Sequence, residues 1–374
     1  VFRGIGMLII LIAHVPGNAW TLWIPARFGF SDATEMFVFL SGMASAIAFG
    51  KLFDRAGFVL GTARIAQRVW QVYWAHVLVF VVVAAMMATA GEKPGGGSYV
   101  ASLNLQRFFA DPAALLPAFL SLRWIPNYFD ILPMYLVILA MMPAMLAAER
   151  LHRLAPLALS AALWAATQAR LLDLPAEPWS ERTWFFNPFG WQFLFFLGFF
   201  LMRGTIRIPV TDRRVVVAAI VVLVATVPFA WYRVLELHDG LRAVADAIRP
   251  LTGKTHFGIL RLVHFGALAV VALAVVGPRG ERLTGPVAAV LARVGQQSLA
   301  VFISGMVLAQ ALGILLDHTG RGALATAGAN LAGFAVLVAV AYVVGWFKAA
   351  PWLATRPAPA TEPAPPASLR TPAR

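Results

Sequence analysis

Long apolar runs broken by short polar stretches recur along nearly the whole chain. Runs of the length needed to cross a bilayer, about 20 residues, lie near 4–24, 33–50, 69–90, 129–148, 154–172, 184–202, 214–232, 257–277, 296–316 and 327–347. The pattern predicts an all-α polytopic membrane protein, a single bundle of about ten transmembrane helices. The first run has the apolar character of a secretory signal. No small-residue cleavage site follows it, and Arg3 and His14 bracket its apolar centre, so it is read as a retained span. Further residues are expected upstream of Val1. Between spans, residues 91–128 open on the flexible "GEKPGGGS" and continue through "LQRFFADPAALLPAFLSLRW", expected as a short interfacial or re-entrant helix. Residues 233–256 form a second such cap. No periodic repeat is evident. The chain divides into a membrane domain, 1–349, and a Pro/Ala-rich tail, 350–374, expected to be disordered and cytoplasmic.

Composition strengthens the membrane reading. Hydrophobic residues make up 60% of the 374 positions and charged residues 13%, with a mean hydropathy of +0.76; soluble domains hold roughly 45–50% apolar residues. The net charge of +13 raises the question of nucleic acid, but its distribution answers it. Putting both termini and the loops after the second, fourth, sixth and eighth runs on one side collects 18 Lys and Arg against 5 Asp and Glu, while the other side holds 12 of each. The basic side, with Lys51, Arg55, Arg64 and Arg68, or Arg203, Arg207, Arg213 and Arg214, is expected to be cytoplasmic. Both termini then lie in the cytoplasm, and no nucleic-acid partner is needed. The chain has no cysteine, which excludes disulfides, cysteine nucleophiles and thiolate metal sites, and no metal site is expected.

Chemistry enters with "VFRGIGMLIILIAHVPGNAW". Arg3 and His14 are eleven residues apart, almost three full helical turns, so their side chains point the same way about 16 Å apart along the axis. Arginine offers a permanent cationic fork for phosphate or carboxylate, and neutral imidazole is a base that works near neutral pH. The plain alternatives are a charge flanking a span for Arg3 and a satisfied core histidine for His14.

Arg-x10-His on the first helix resembles the membrane acyltransferase-3 superfamily. With "RGIGMLIILIAHVPGNAW", "GFSDATEMFVFLSGM", "RVWQVYWAHVLVF", "FDILPMYLVIL", "FFNPFGWQFLFFLGF", "RLVHFGALA" and "GQQSLAVFISGM" in order, the chain is similar to the OpgC family from residue 3 to about 310. The acidic residue usual in the family just before Phe-Arg-Gly is absent because the chain starts at Val1, and the tail has no counterpart in the family. The resemblance implies an enzyme of the bacterial inner membrane that moves succinyl groups from cytoplasmic succinyl-CoA to hydroxyls of osmoregulated periplasmic glucans. Acyl-CoA is then a donor substrate, and no tightly bound cofactor is expected.

Such a transfer needs a base, a donor for the developing oxyanion and a dry channel. His14 is the candidate base. In "SDATE", Asp32 and Glu35 can orient its imidazole or bind sugar hydroxyls, and they also fit a capping box at the start of the second helix; the two roles are compatible. Trp20, Trp23, Trp124 and Tyr128 can stack on sugars, or form an interfacial aromatic belt. For the acyl-CoA the candidates are Arg3, Arg68, His76 and Ser298. For the acceptor and acyl group they are Asp130, Tyr135, Asn187, Gln192, Arg261 and His264, polar groups that would be costly against lipid. His76, Asn187 and Gln192 suit helix-to-helix hydrogen bonding better than catalysis. Arg261 is a candidate for pairing the succinyl carboxylate through two parallel hydrogen bonds, the alternative being an ion pair with an acid such as Asp130. Pro133 and Pro188 are expected to kink or break their helices. Two other functions stay open: O-acetylation of a periplasmic or cell-surface glycan, and secondary transport through buried Arg, His and Asp.

Overall fold

A computed structural model describes residues 1–206, 208–210, 212–277 and 280–353. Among these the chain is helical, with only two isolated β-bridges. Every predicted run contains a helix. The principal ones are α1 (Phe2–His14), α2 (Ala33–Ser45), α3 (Lys51–Ala90), α4 (Ile131–Leu151), α5 (Ala155–Gln168), α6 (Pro188–Met202), α7 (Arg213–Ala230), α8 (Ile259–Val276), α9 (Pro286–Gln296), α10 (Ser298–Thr319) and α11 (Ala323–Ala349).

Six helical stretches among the described residues are long and apolar enough to cross a membrane. They are Ala33–Ala90, Ile131–Leu151, Arg213–Ala230, Ile259–Val276, Ser298–Thr319 and Ala323–Leu353. The second and third runs fuse into the first of these through a π-helical turn at Ala46–Gly50. Gly57, at φ +82°, kinks it in a left-handed conformation that suits glycine. The apolar α1 and α6 are shorter, and α5 has only 14 residues.

The first run illustrates why. It was expected to continue to residue 24, but α1 stops at His14 because Pro16 follows: Val15 is extended, as a residue before proline prefers, and Gly17 turns at φ +66°. A 3-10 turn at Ala19–Trp23 completes the stretch. The prolines expected to kink helices instead begin them. Pro188 is the first residue of α6, and Pro133 lies in the first turn of α4, where the N–H that proline lacks would have had no intrahelical partner.

Around α1 the bundle closes: it packs against α2, α9, α10 and α11. Small residues allow the nearest approaches. A Cβ at Gly42 of α2 would collide with the Phe195 carbonyl oxygen of α6, and one at Gly198 of α6 with the Phe39 carbonyl oxygen of α2. Asn18 and Asn330, both buried, exchange side-chain amide bonds of 2.8 and 3.1 Å and fasten the turn after α1 to α11. At the periphery α7 buries only Ala219, against α8, and exposes Val217, Ile220, Val221 and Val224, as a helix facing lipid does.

Residues 91–128 do turn back onto the bundle, in three short helices, Tyr99–Ser102, Gln106–Ala110 and Pro112–Leu120. Phe119 is fully buried and stacks on Phe80 of α3 at 4.0 Å. Residues 233–256 likewise form short helices. The start of the expected tail is ordered, since Pro351–Leu353 make a 3-10 turn with Trp352 against Trp346 at 5.8 Å. The tail from 354 on, and Arg207, lie outside the described residues.

Candidate active site

Of the cavities that border α1, a large one takes in Arg3 and another takes in His14. The cavity at the Arg3 end has a volume of 650 Å³ and is lined by Arg3, Arg64, Arg68, Lys348, Ser298 and Tyr135, among others, with no carboxylate. Arg3 donates from Nη2 to Ser298 Oγ at 2.5 Å, while its Nε is buried without a partner. Four cations around an unfilled space make a strongly anion-attracting vestibule. The sequence-derived set Arg3, Arg68 and Ser298 meets here. Tyr135, expected with the acceptor, stands here too. His76 does not: it is fully buried 4.8 Å from the Phe119 ring, with neither ring nitrogen bonded.

At the other end a cavity of 730 Å³ is lined by His14, Thr34, Asn127, Tyr128, Asp130, Glu181, Arg182 and Lys254, with Phe185, Phe186 and Phe302 supplying apolar wall. His14 Nδ1 lies 2.7 Å from the Ile10 carbonyl oxygen one turn back. A carbonyl can only accept, so the neutral ring carries its proton on Nδ1 and leaves Nε2 as a free lone pair. The backbone of α1 itself therefore orients the ring. Tyr128 meets His14 edge-on at 5.5 Å and donates to the Met306 carbonyl oxygen at 2.5 Å. Its backbone φ is +82°, a conformation that costs a bulky residue about 1–3 kcal/mol and concentrates at functional sites. Asp130 contributes a buried Oδ1 with no partner, an acceptor that a ligand hydroxyl can satisfy.

Asp32 and Glu35 hold a different part of the site from the one anticipated. They form the capping box of α2, Asp32 accepting from Thr34 N–H and Glu35 from Asp32 N–H. Glu35 is fully buried and takes Nε and Nη2 of Arg261 at 2.7 and 2.6 Å. Asp32 Oδ2 accepts from Lys254 Nζ at 2.6 Å and lies 3.5 Å from Arg261. Burial works to raise the Asp32 carboxyl, but Lys254 and Arg261 outweigh it and hold the group well below the usual carboxylate range. Neither carboxylate orients His14.

Four more sequence candidates are engaged in the framework. Arg261 lines neither cavity, and its partner is Glu35, not Asp130. His264 bonds Ser31 Oγ at 2.7 Å. Asn187 caps α6 and donates to Leu172 O at 2.5 Å and Asp173 at 3.1 Å. Gln192 is bonded to both the hydroxyl and the carbonyl of Ser160, at 2.6 and 2.8 Å.

Conversely, Lys254, Arg182, Asn127 and Thr34 escaped the sequence reading. Lys254 and Arg182 lie in loops, where periodicity says nothing of direction. Their only signal was to be basic on the side where Lys and Arg balance Asp and Glu.

A family model described as OpgC protein matches residues 1–349. No curated protein and no solved structure matches the chain. The matched region spans both cavities and all of α1 through α11, and the chain belongs to the OpgC family.

Proposed function

We propose that this protein is a bacterial inner-membrane O-acyltransferase that moves a succinyl group from cytoplasmic succinyl-CoA to glucose hydroxyls of osmoregulated periplasmic glucans. One observation carries the reading: α1 places Arg3 in a carboxylate-free basic cavity and His14, with Nε2 unbonded, in a second cavity at its other end. The Arg3 cavity suits the phosphates of coenzyme A, and the extended arm of that donor is comparable in length to the separation of about 16 Å between the two residues. The His14 cavity, with Asp130, Asn127 and Tyr128, suits a glucosyl unit. In this reading His14 Nε2 takes the proton of the acceptor hydroxyl as its oxygen attacks the thioester carbonyl, and returns it to the leaving thiolate. The Arg3 end faces the cytoplasm, as the charge distribution indicates. Membership of the OpgC family supports the choice of acyl group and acceptor.

The test is His14→Asn and His14→Ala in the purified, reconstituted protein with succinyl-CoA and a glucan. A positioned base contributes about 10²–10⁴ in rate, so transfer should fall by at least 100-fold with thermal stability and coenzyme A binding retained. Wild-type transfer by a folded His14→Ala protein would remove the base from the mechanism and the reading with it.

A further inference from the structure

We infer that Lys254 is the oxyanion donor of the transfer and that Asp32 is a positioning residue acting through it. The inference rests on the acyl-transfer reading of the same cavity and adds a residue to it. Acyl transfer to a hydroxyl develops negative charge on the thioester carbonyl oxygen, and a fixed donor outside bulk water stabilises it most. Three cations come near the His14 cavity. Arg261 does not line it and is held by Glu35. Arg182 lines it, but is tied to Glu177 at 2.9 Å and to the Ile125 carbonyl oxygen at 2.7 Å. Lys254 lines it together with His14. It is anchored by a single ion pair, to Asp32 at 2.6 Å, with its ammonium 5.5 Å from the Phe186 ring centre. An ammonium has three N–H donors, and the Asp32 bond uses one.

Rigidity separates an oxyanion donor from a mobile surface lysine, and Asp32 supplies it. Its carboxylate is set by the α2 capping box and shared with Arg261, so Lys254 points from a fixed base. Thr34, two residues on, also lines the cavity, which brings the start of α2 to its wall. In the addition step the hydroxyl oxygen forms a bond to the carbonyl carbon, the C=O π pair moves to oxygen, and the hydroxyl proton goes to His14. A Lys254 N–H donates to that oxyanion without transferring its proton. Collapse restores the C=O, breaks the C–S bond, and the thiolate takes the proton from His14, giving ester and free coenzyme A thiol.

Steady-state kinetics of Lys254→Met, Lys254→Arg and the double variant Lys254→Met/Asp32→Asn test this, with succinyl-CoA and acetyl-CoA as alternative donors. Losing one oxyanion donor typically lowers kcat by about 10²–10³-fold. That fall is expected for both donors, with little change in KM for donor or glucan and at least a tenfold recovery in Lys254→Arg. The double variant also removes the Asp32 carboxylate, which Lys254→Met leaves with Arg261 alone at 3.5 Å, so it should fold if the single variant does not, and show the same fall in kcat. A kcat within threefold of wild type in either folded variant overturns the assignment. So does a loss confined to succinyl transfer, which would make Lys254 a carboxylate reader, or one confined to KM for glucan. If wild type itself transfers no acyl group, the acyltransferase reading fails, not the assignment of Lys254 within it.

Discussion

Arg3 and His14 share one helix, yet each lines a different cavity: Arg3 bonds Ser298 in one, and His14 borders Tyr128 in the other. In the proposed reaction the donor and acceptor halves of the transfer are thus joined by a single rigid element. Arg3 should matter for the donor alone. Arg3→Ala should raise KM for succinyl-CoA by about tenfold or more, as losing a charge-assisted phosphate contact does, and leave KM for the glucan unchanged. Arg3→Lys should do so less, since it keeps the charge and loses the fork. Equal donor affinity in all three proteins would reduce Arg3 to a determinant of orientation.

The Glu35–Arg261 pair is predicted to be structural. Removing one partner of a buried pair typically costs about 3–5 kcal/mol, so Arg261→Ala should lower the thermal midpoint in detergent markedly. The double variant Arg261→Met/Glu35→Gln should recover much of the loss. Transfer from succinyl-CoA and acetyl-CoA should decline together in Arg261→Ala. A selective loss of succinyl transfer by a stably folded Arg261→Ala protein would restore Arg261 as the carboxylate reader.

Gly42 tests the packing that places α2. Because its Cβ would collide with backbone of α6 and not with a movable side chain, Gly42→Ala should cost about 1–3 kcal/mol, the range for overpacking. Unchanged thermal stability would mean that α2 and α6 sit farther apart than described.

Membrane sidedness can be read with fusions. A reporter inserted near Arg64 or placed after Arg374 should report the cytoplasm, and one in the "PGGGS" loop the periplasm. The same compartment for all three would overturn the orientation. The ion pairs stay within the two sets of charges: Arg203 pairs with Asp54 and Glu149 in one set, whereas Asp32 and Glu177 pair with Lys254 and Arg182 in the other.

The helices were legible because a span must satisfy its backbone internally and present apolar side chains to lipid, a demand that hydropathy records directly. Arg3 and His14 were legible for a related reason: their relation is periodic and lies within one element. The end of α1 was written in Pro16 and Gly17, but the surrounding apolar run hid it. Lys254 was not legible. It joins His14 in lining one cavity only through the fold, which brings a loop more than two hundred residues away beside the start of α2. For Asn187 and Gln192 the sequence left two readings, because an intramembrane amide reads the same whether it caps a helix, bridges two helices or faces a ligand, and their bonds are those of the framework.

The brevity of α1 has an electrical consequence. Its 13 residues make a rod of about 20 Å, against a hydrocarbon layer of about 30 Å, and a cavity opens at each end. If both cavities admit water and ions, the membrane potential falls mainly across this short septum and not over the full bilayer. With the Arg3 end inside a cell of negative interior, the field there drives anions outward. In the proposed reaction a succinyl group carries one such charge along α1 from donor side to acceptor side, a movement aided by up to about 2.3 kcal/mol per 100 mV. An energised membrane would then help succinyl transfer in a way that it cannot help the transfer of an uncharged acetyl group.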